Sequence, residues 1–300
     1  NLTLAIYQEA VEAAYLSSDF AQMDQWIEVV LQQSPALLDT IEVYNVKMQA
    51  CMAQNQLLEA IQTGLQVLQL LGLEFPENPQ LSDVQAKLES TLSALAGRSP
   101  VDWIALPEMT DPFKQATMRI LSSLAPCAYQ AAPLLLPLVV LQQVNLSIQY
   151  GNTALSAPSY SYFGLILCGV VGDIETGYQF GQLALSLLDR LNAKEIKART
   201  IFVTNANVRH WREPVQKTLE PLQSAYAIGL ETGDLEFAAL STYIYAYHAY
   251  LGGNELSVLE GEITSYNAAL AQIKQKNALN FNQILHQAIL NLSECAEQPS

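Results

Sequence analysis

The chain has 300 residues, 50% hydrophobic and only 14% charged, with a formal net charge of −15. So apolar a composition excludes intrinsic disorder and requires many buried faces. The charge is uneven: residues 1–111 hold 15 Asp/Glu against 3 Lys/Arg, and residues 112–300 hold 14 against 11. The acidic N-terminal part is a poor match for nucleic acid or an anionic membrane.

Apolar residues recur at three- and four-residue steps almost throughout, beginning with Leu4, Tyr7, Val11 and Ala14. This predicts helices at about 2–17, 19–32, 36–53, 56–72, 82–96, 113–127, 134–150, 157–171, 174–191, 195–211, 214–231, 235–252, 255–275 and 279–296. Asp19 with Gln22, and Ser82 with Gln85, have capping-box spacing. Ser34-Pro35, Asp111-Pro112 and Glu213-Pro214 place proline at a first helical position, where its missing N–H costs nothing. Gly172-Asp173 and Gly233-Asp234 each join a helix stop to an N-cap.

Most connections are short, so successive helices should pack as hairpins. The pairs recur every 35–45 residues or so, the scale of tetratricopeptide repeats. The strict repeat consensus is absent, so the repeats are degenerate. The expected fold is all-α, a single array over 1–300. Residues 73–111 are its least regular part. They are either a seam between sub-arrays 1–72 and 112–300 or a longer connection.

The longest apolar run, Ala131–Leu141, is too short to span a bilayer and contains Pro133 and Pro137. No signal peptide is present, and a cytoplasmic location is expected. The chain begins at Asn1 rather than Met and reads as a segment of a longer polypeptide. Cys51, Cys127, Cys168 and Cys295 lie far apart, as suits small core residues in a reducing compartment.

Chemistry-bearing motifs are missing. There is no phosphate-binding glycine loop, no dinucleotide turn, no kinase H-R-D or D-F-G and no H-E-x-x-H. The three histidines, His210, His248 and His286, fall in different predicted helices, and no metal or cofactor is expected. His286, tested as a phospho-acceptor, is followed by Gln287 and Ala288 rather than an acidic residue, and reads as an ordinary helix-surface or half-buried side chain. The absence of catalytic motifs makes the segment itself non-enzymatic.

Two regions remain as candidate sites. Seven of the 14 basic residues lie within Arg190–Lys217. Among them Arg199, Arg209, Arg212 and Lys217 would form a docking surface for an anionic partner, or pair with carboxylates on neighbouring helices. The helix STYIYAYHAYLGG places Tyr243, Tyr247 and Tyr250 on one face and Tyr245 with His248 on another. Tyr243, Tyr247, His248 and Tyr250 would line a small-molecule pocket, or fill the space between stacked helices. Asn145, Gln149, Tyr150 and Asn152 surround Gly151 and either brace that turn or bind something.

Several stretches resemble one family. They are QTGLQVLQLLGLEFPENP (62–79), LPEMTDPFKQATMRILSSL (106–124), VNLSIQYGNTALSAPSYSYFGLILCGVVGDIETGYQFGQLALSLLDRLNAKE (144–195) and GLETGDLEFAA (229–239). They look like the helical region of cyanobacterial multi-sensor signal transduction multi-kinases. In that family a Ser/Thr-kinase-like domain and a P-loop ATPase precede the helical region, and GAF or PAS sensors and a histidine kinase follow it. The resemblance implies a tetratricopeptide-like, right-handed α-α superhelix. It also implies a role in protein interaction and signal coupling, with neighbouring domains or another signalling protein as partners. It carries no catalytic residue into this chain and supplies no ligand.

Overall fold

The structure is a computed structural model describing residues 2–293 except Ser18 and Pro35, with backbone alone at Pro100. It is all-helical, and no strand occurs among the described residues. The described residues form fifteen α-helices, in order α1 (Leu2–Leu16), α2 (Phe20–Gln33), α3 (Ile41–Ala53), α4 (Leu57–Leu70), α5 (Leu81–Leu95), α6 (Pro100–Ile104), α7 (Pro112–Ala131) and α8 (Leu135–Tyr150). Then come α9 (Ser156–Ile166), α10 (Ile174–Leu191), α11 (Lys197–Asn207), α12 (Leu219–Thr232), α13 (Leu235–Leu251), α14 (Leu256–Gln272) and α15 (Lys276–Leu292). The chain divides into two compact units, one ending at Ser159 and the other beginning at Tyr160, so the division falls within α9.

In the first unit α1 packs on α2 and α3 on α4. Val11, Ala14, Met23, Ile27, Val30, Val43, Val46 and Ala50 form one core across α1, α2 and α3. Residues 73–111 lie inside this unit, and α3 and α4, which precede them, both pack on α7, which follows them. Gly64 permits that approach: a Cβ there would lie 2.9 Å from Met48 Cε on α3 and 3.3 Å from Leu124 Cδ1 on α7. Behind them α8 packs on α7 and α5. In the second unit α10 to α13 pack each on the next, and α13, α14 and α15 pack on one another.

The start and stop signals explain most boundaries. Asp19 accepts the Gln22 N–H at 3.1 Å, although the Gln22 side chain turns to Gln25 instead of closing a capping box. The second box lies earlier than expected, because α5 begins before Ser82: Asp83 accepts the Gln80 N–H at 2.7 Å. Asp111 caps α7 through the N–H groups of Phe113 and Lys114, with Pro112 at the first turn. Pro35 lies outside the described residues, as does Cys295.

Glu213-Pro214 opens no α-helix directly: Pro214 is extended and leads into a 3₁₀ turn, Val215–Thr218, before α12. Helix α7 runs to Ala131 through Pro126, four residues past the expected end. The short α6 was missed in the sequence. Its signal is Ser99-Pro100 with Asp102, whose carboxylate accepts from both the backbone and the hydroxyl of Ser99.

Two glycines set the geometry around α8 and α9. Gly151 has φ +99° and ψ 173°, a conformation only glycine adopts readily, and a Cβ there would lie 2.3 Å from the Pro107 carbonyl oxygen. The neighbouring backbone forms a two-bond bridge, Asn152 N–H to Pro107 O and Met109 N–H to Asn152 O, each 2.8 Å. Helix α9 runs on into a π-helical turn, Leu167–Val171, which Gly172 ends in the left-handed region.

Candidate functional site

Both candidate regions lie in the second unit. In the basic segment, α11 ends at Asn207, and Arg209–Trp211 forms a 3₁₀ turn. Three of the four predicted docking cations meet carboxylates. The Arg209 guanidinium donates to Glu213 at 2.9 Å and to Asn205 Oδ1 at 3.4 Å. The other Glu213 oxygen accepts the Tyr178 hydroxyl at 2.6 Å. These bonds, Arg209 first, hold the Glu213 carboxyl below the ordinary range, and the same carboxylate raises the Tyr178 hydroxyl.

Arg212 lies 4.9 Å over the Tyr178 ring and donates to Glu175 at 2.7 Å. Arg199 lies 4.8 Å over Phe237, with Nε 3.5 Å from Asp234 Oδ2. That carboxylate makes no cap bond to α13, unlike the carboxylate of Asp173, which caps α10. Lys217 is exposed. The side chains of Arg199 and Arg209 are each 23% exposed, against 47% for Arg212, so Arg212 and Lys217 are the cations most accessible to a partner.

The Tyr-rich segment is α13. His248 is buried, and its Nδ1 lies 2.7 Å from Thr218 Oγ1, on the 3₁₀ turn ahead of α12. The Thr218 hydroxyl also lies 2.6 Å from the Val215 carbonyl, which can only accept. Its one hydrogen therefore goes to Val215, and His248 donates from Nδ1. Burial pushes His248 down to about 4, with His210 beside it adding to the effect, so the ring is neutral at pH 7.

Tyr245 is buried and donates to both Glu262 oxygens, at 3.0 and 3.1 Å. Tyr250 packs on the core formed by Ala246, Ala249, Leu259, Ile263, Leu285 and Ile289. Tyr243 and Tyr247 instead stack on each other, with centroids 6.2 Å apart, and Tyr243 meets Phe281 of α15 at 5.3 Å. The four predicted pocket residues thus separate: His248 and Tyr250 face packed neighbours, while Tyr243 and Tyr247 lie along a surface where Tyr247 is 41% exposed. Asn282 of α15 donates to Thr242 at 2.9 Å and leaves its buried Oδ1 without a partner.

Most of the remaining candidates have structural partners. His286 is half-buried and lies 3.1 Å from Glu260 on α14. Asn145 donates to Thr91 on α5, and Asn152 donates to the Trp103 carbonyl at 2.7 Å. Lys114 lies 5.2 Å over the Tyr150 ring, and Gln149 is exposed. Cys51, Cys127 and Cys168 are buried, and burial raises the Cys168 thiol to about 11, leaving it protonated and unreactive. Among the described residues no three His, Cys, Asp or Glu side chains converge as metal ligands, and no helix is long and apolar enough to cross a membrane.

Two residues absent from the predicted sites belong to this region: Thr218, which is buried, and Phe281, which is exposed. Phe281 was legible in α15, where residues 278, 282, 285 and 289 form the buried stripe and Phe281 and Ile284 fall on another face. Thr218 carried no signal, because its role depends on a histidine 30 residues away.

No family model matches the chain. It is 19% identical over 268 residues, 83% of its length, to the hybrid signal transduction histidine kinase G of Dictyostelium discoideum, and it spans 8% of that protein. The likeness is therefore to a small part of a signal-transduction kinase.

Proposed function

We propose that the chain is a non-catalytic protein-interaction and signal-coupling module of a multi-domain sensor kinase. It links ATPase or kinase modules to sensor and histidine-kinase modules, working in the cytoplasm without a cofactor. Its helix pairs are degenerate tetratricopeptide-like repeats in a right-handed superhelix, an architecture whose extended surface suits binding. The observation that carries this reading is the similarity to a hybrid histidine kinase over 83% of the chain, joined to its helix pairs. The partners are neighbouring domains of the parent polypeptide or another signalling protein, rather than nucleic acid or membrane. Incubation with γ-labelled ATP and Mg²⁺ tests the non-catalytic part. The chain should stay unlabelled, and label on His286, abolished by His286→Ala, would overturn the reading.

A second reading is a small-molecule sensor. It is favoured by the buried Asn282 Oδ1, left without a hydrogen-bond partner beside Thr242 of the Tyr-rich helix. A ligand at a hundredfold its Kd would raise stability by about 2.7 kcal/mol, and a metabolite thermal-shift screen with no such rise would count against it.

A further inference from the structure

The two regions singled out in the sequence join through a continuous run of rings. Trp211 stacks on His210 with centroids 5.9 Å apart, and His210 meets His248 edge-on at 5.6 Å. His248 lies 6.3 Å from Tyr247, Tyr247 lies 6.2 Å from Tyr243, and Tyr243 lies 5.3 Å from Phe281. All these separations fall in the range of attractive ring contacts. The run crosses three elements: the 3₁₀ turn 209–211, α13 and α15. It surfaces at Trp211, Tyr247 and Phe281, which are 45%, 41% and 45% exposed, and Ile284, one turn beyond Phe281, is 70% exposed.

The run dips into the core at His248 and is exposed on either side of it, and the cluster of Tyr247, Phe281 and Ile284 is an exposed apolar patch of the kind that marks an interaction surface; Trp, Tyr and Arg dominate interface hot spots. The charge around it selects the partner. From Phe237 to Gly253 there is no charged residue, and α15 carries Lys276 alone. The adjoining residues 209–218 carry Arg209, Arg212 and Lys217 against Glu213. Residues 209–218, residues 237–253 and α15 thus carry four cations and one carboxylate between them, in a chain of net charge −15; Glu236, at the start of α13, is turned away from solvent. The Arg212–Glu175 pair is exposed on both sides, so it is weak and easily exchanged for a partner's carboxylate.

We propose that this ring strip is the docking site for an acidic segment of a partner protein bearing aromatic or aliphatic anchors. The anchors cover Tyr247, Phe281 and Ile284, and the carboxylates engage Arg212 and Lys217. This rests on the interaction-module reading and names its surface and partner class.

The test is selection of a displayed random 16-residue peptide library on the full chain, followed by fluorescence anisotropy of the selected peptides. Enriched peptides should be acidic with apolar anchors. Their Kd should rise at least tenfold in Trp211→Ser/Tyr247→Ser/Phe281→Ser, and with added salt. Circular dichroism confirms that the variant folds, and Phe281→Ser/Ile284→Ser, confined to exposed α15 positions, serves if it does not. Basic or uncharged peptides, peptides indifferent to the strip variants, or no enrichment would overturn the proposal. So would strip-dependent binding to vesicles of 30% phosphatidylserine, or strip-dependent self-association, in place of peptide binding. Neighbouring domains that still bind the strip variant at wild-type strength would refute this site and leave the module reading intact. If they fail to bind the wild type, the module reading itself falls.

Discussion

His248 is neutral because burial disfavours its charged form, and His210 beside it adds to the effect. Its folded value of about 4 lies below the ordinary 6.5. Above pH 6.5 it is neutral in both the folded and the unfolded chain and adds no pH dependence. Between pH 6.5 and 4 the unfolded chain takes up a proton that the folded chain refuses, so stability falls with falling pH, by on the order of 3 kcal/mol. Urea denaturation at pH 7 and pH 4.5 should show a larger loss in the wild type than in His248→Gln; equal losses would refute the account of this histidine. Thr218→Val, which leaves the buried Nδ1–H unpaired, should cost about 1–3 kcal/mol at pH 7.

At the scale of elements, two glycines of positive φ separate turn strain from crowding. At Gly172 a Cβ meets nothing within 4 Å, so Gly172→Ala should cost only the left-handed strain, about 1–2 kcal/mol. At Gly151 the same change adds a clash with the Pro107 carbonyl, so Gly151→Ala should cost more. Thermal unfolding of both variants would show a clearly larger drop for Gly151→Ala, and equal drops would contradict the bridge to residues 107–109.

The element pattern was largely legible in the sequence because each helix carries its own periodicity and its own caps. Asp111-Pro112 and Gly172-Asp173 act as read. What was not legible depends on distant partners. Asp234 has the spacing of a cap, yet its carboxylate turns to Arg199, 35 residues earlier in the chain, which no local pattern records. Helix α7 continues through Pro126 because Met118, Leu121 and Leu124 are buried against neighbours, and burial outweighs one lost backbone bond. The ring strip is also assembled from three elements, so the sequence could show its pieces but not their continuity.

Across the molecule, titratable side chains are held by their neighbours. Glu213 is held by Arg209 and Tyr178, the Cys168 thiol stays protonated, and His286 meets Glu260. Reversing Arg199 or Arg209 would set like charges against Asp234 or Glu213 and unsettle the fold, so Arg212 and Lys217 are the cations with which to probe binding. The most direct measurement is a calorimetric titration of the chain with the flanking ATPase and sensor domains that the proposed role requires, at low and high salt. The account predicts saturable binding that weakens with salt and in Arg212→Glu/Lys217→Glu. No binding by either flanking domain at low salt would contradict it.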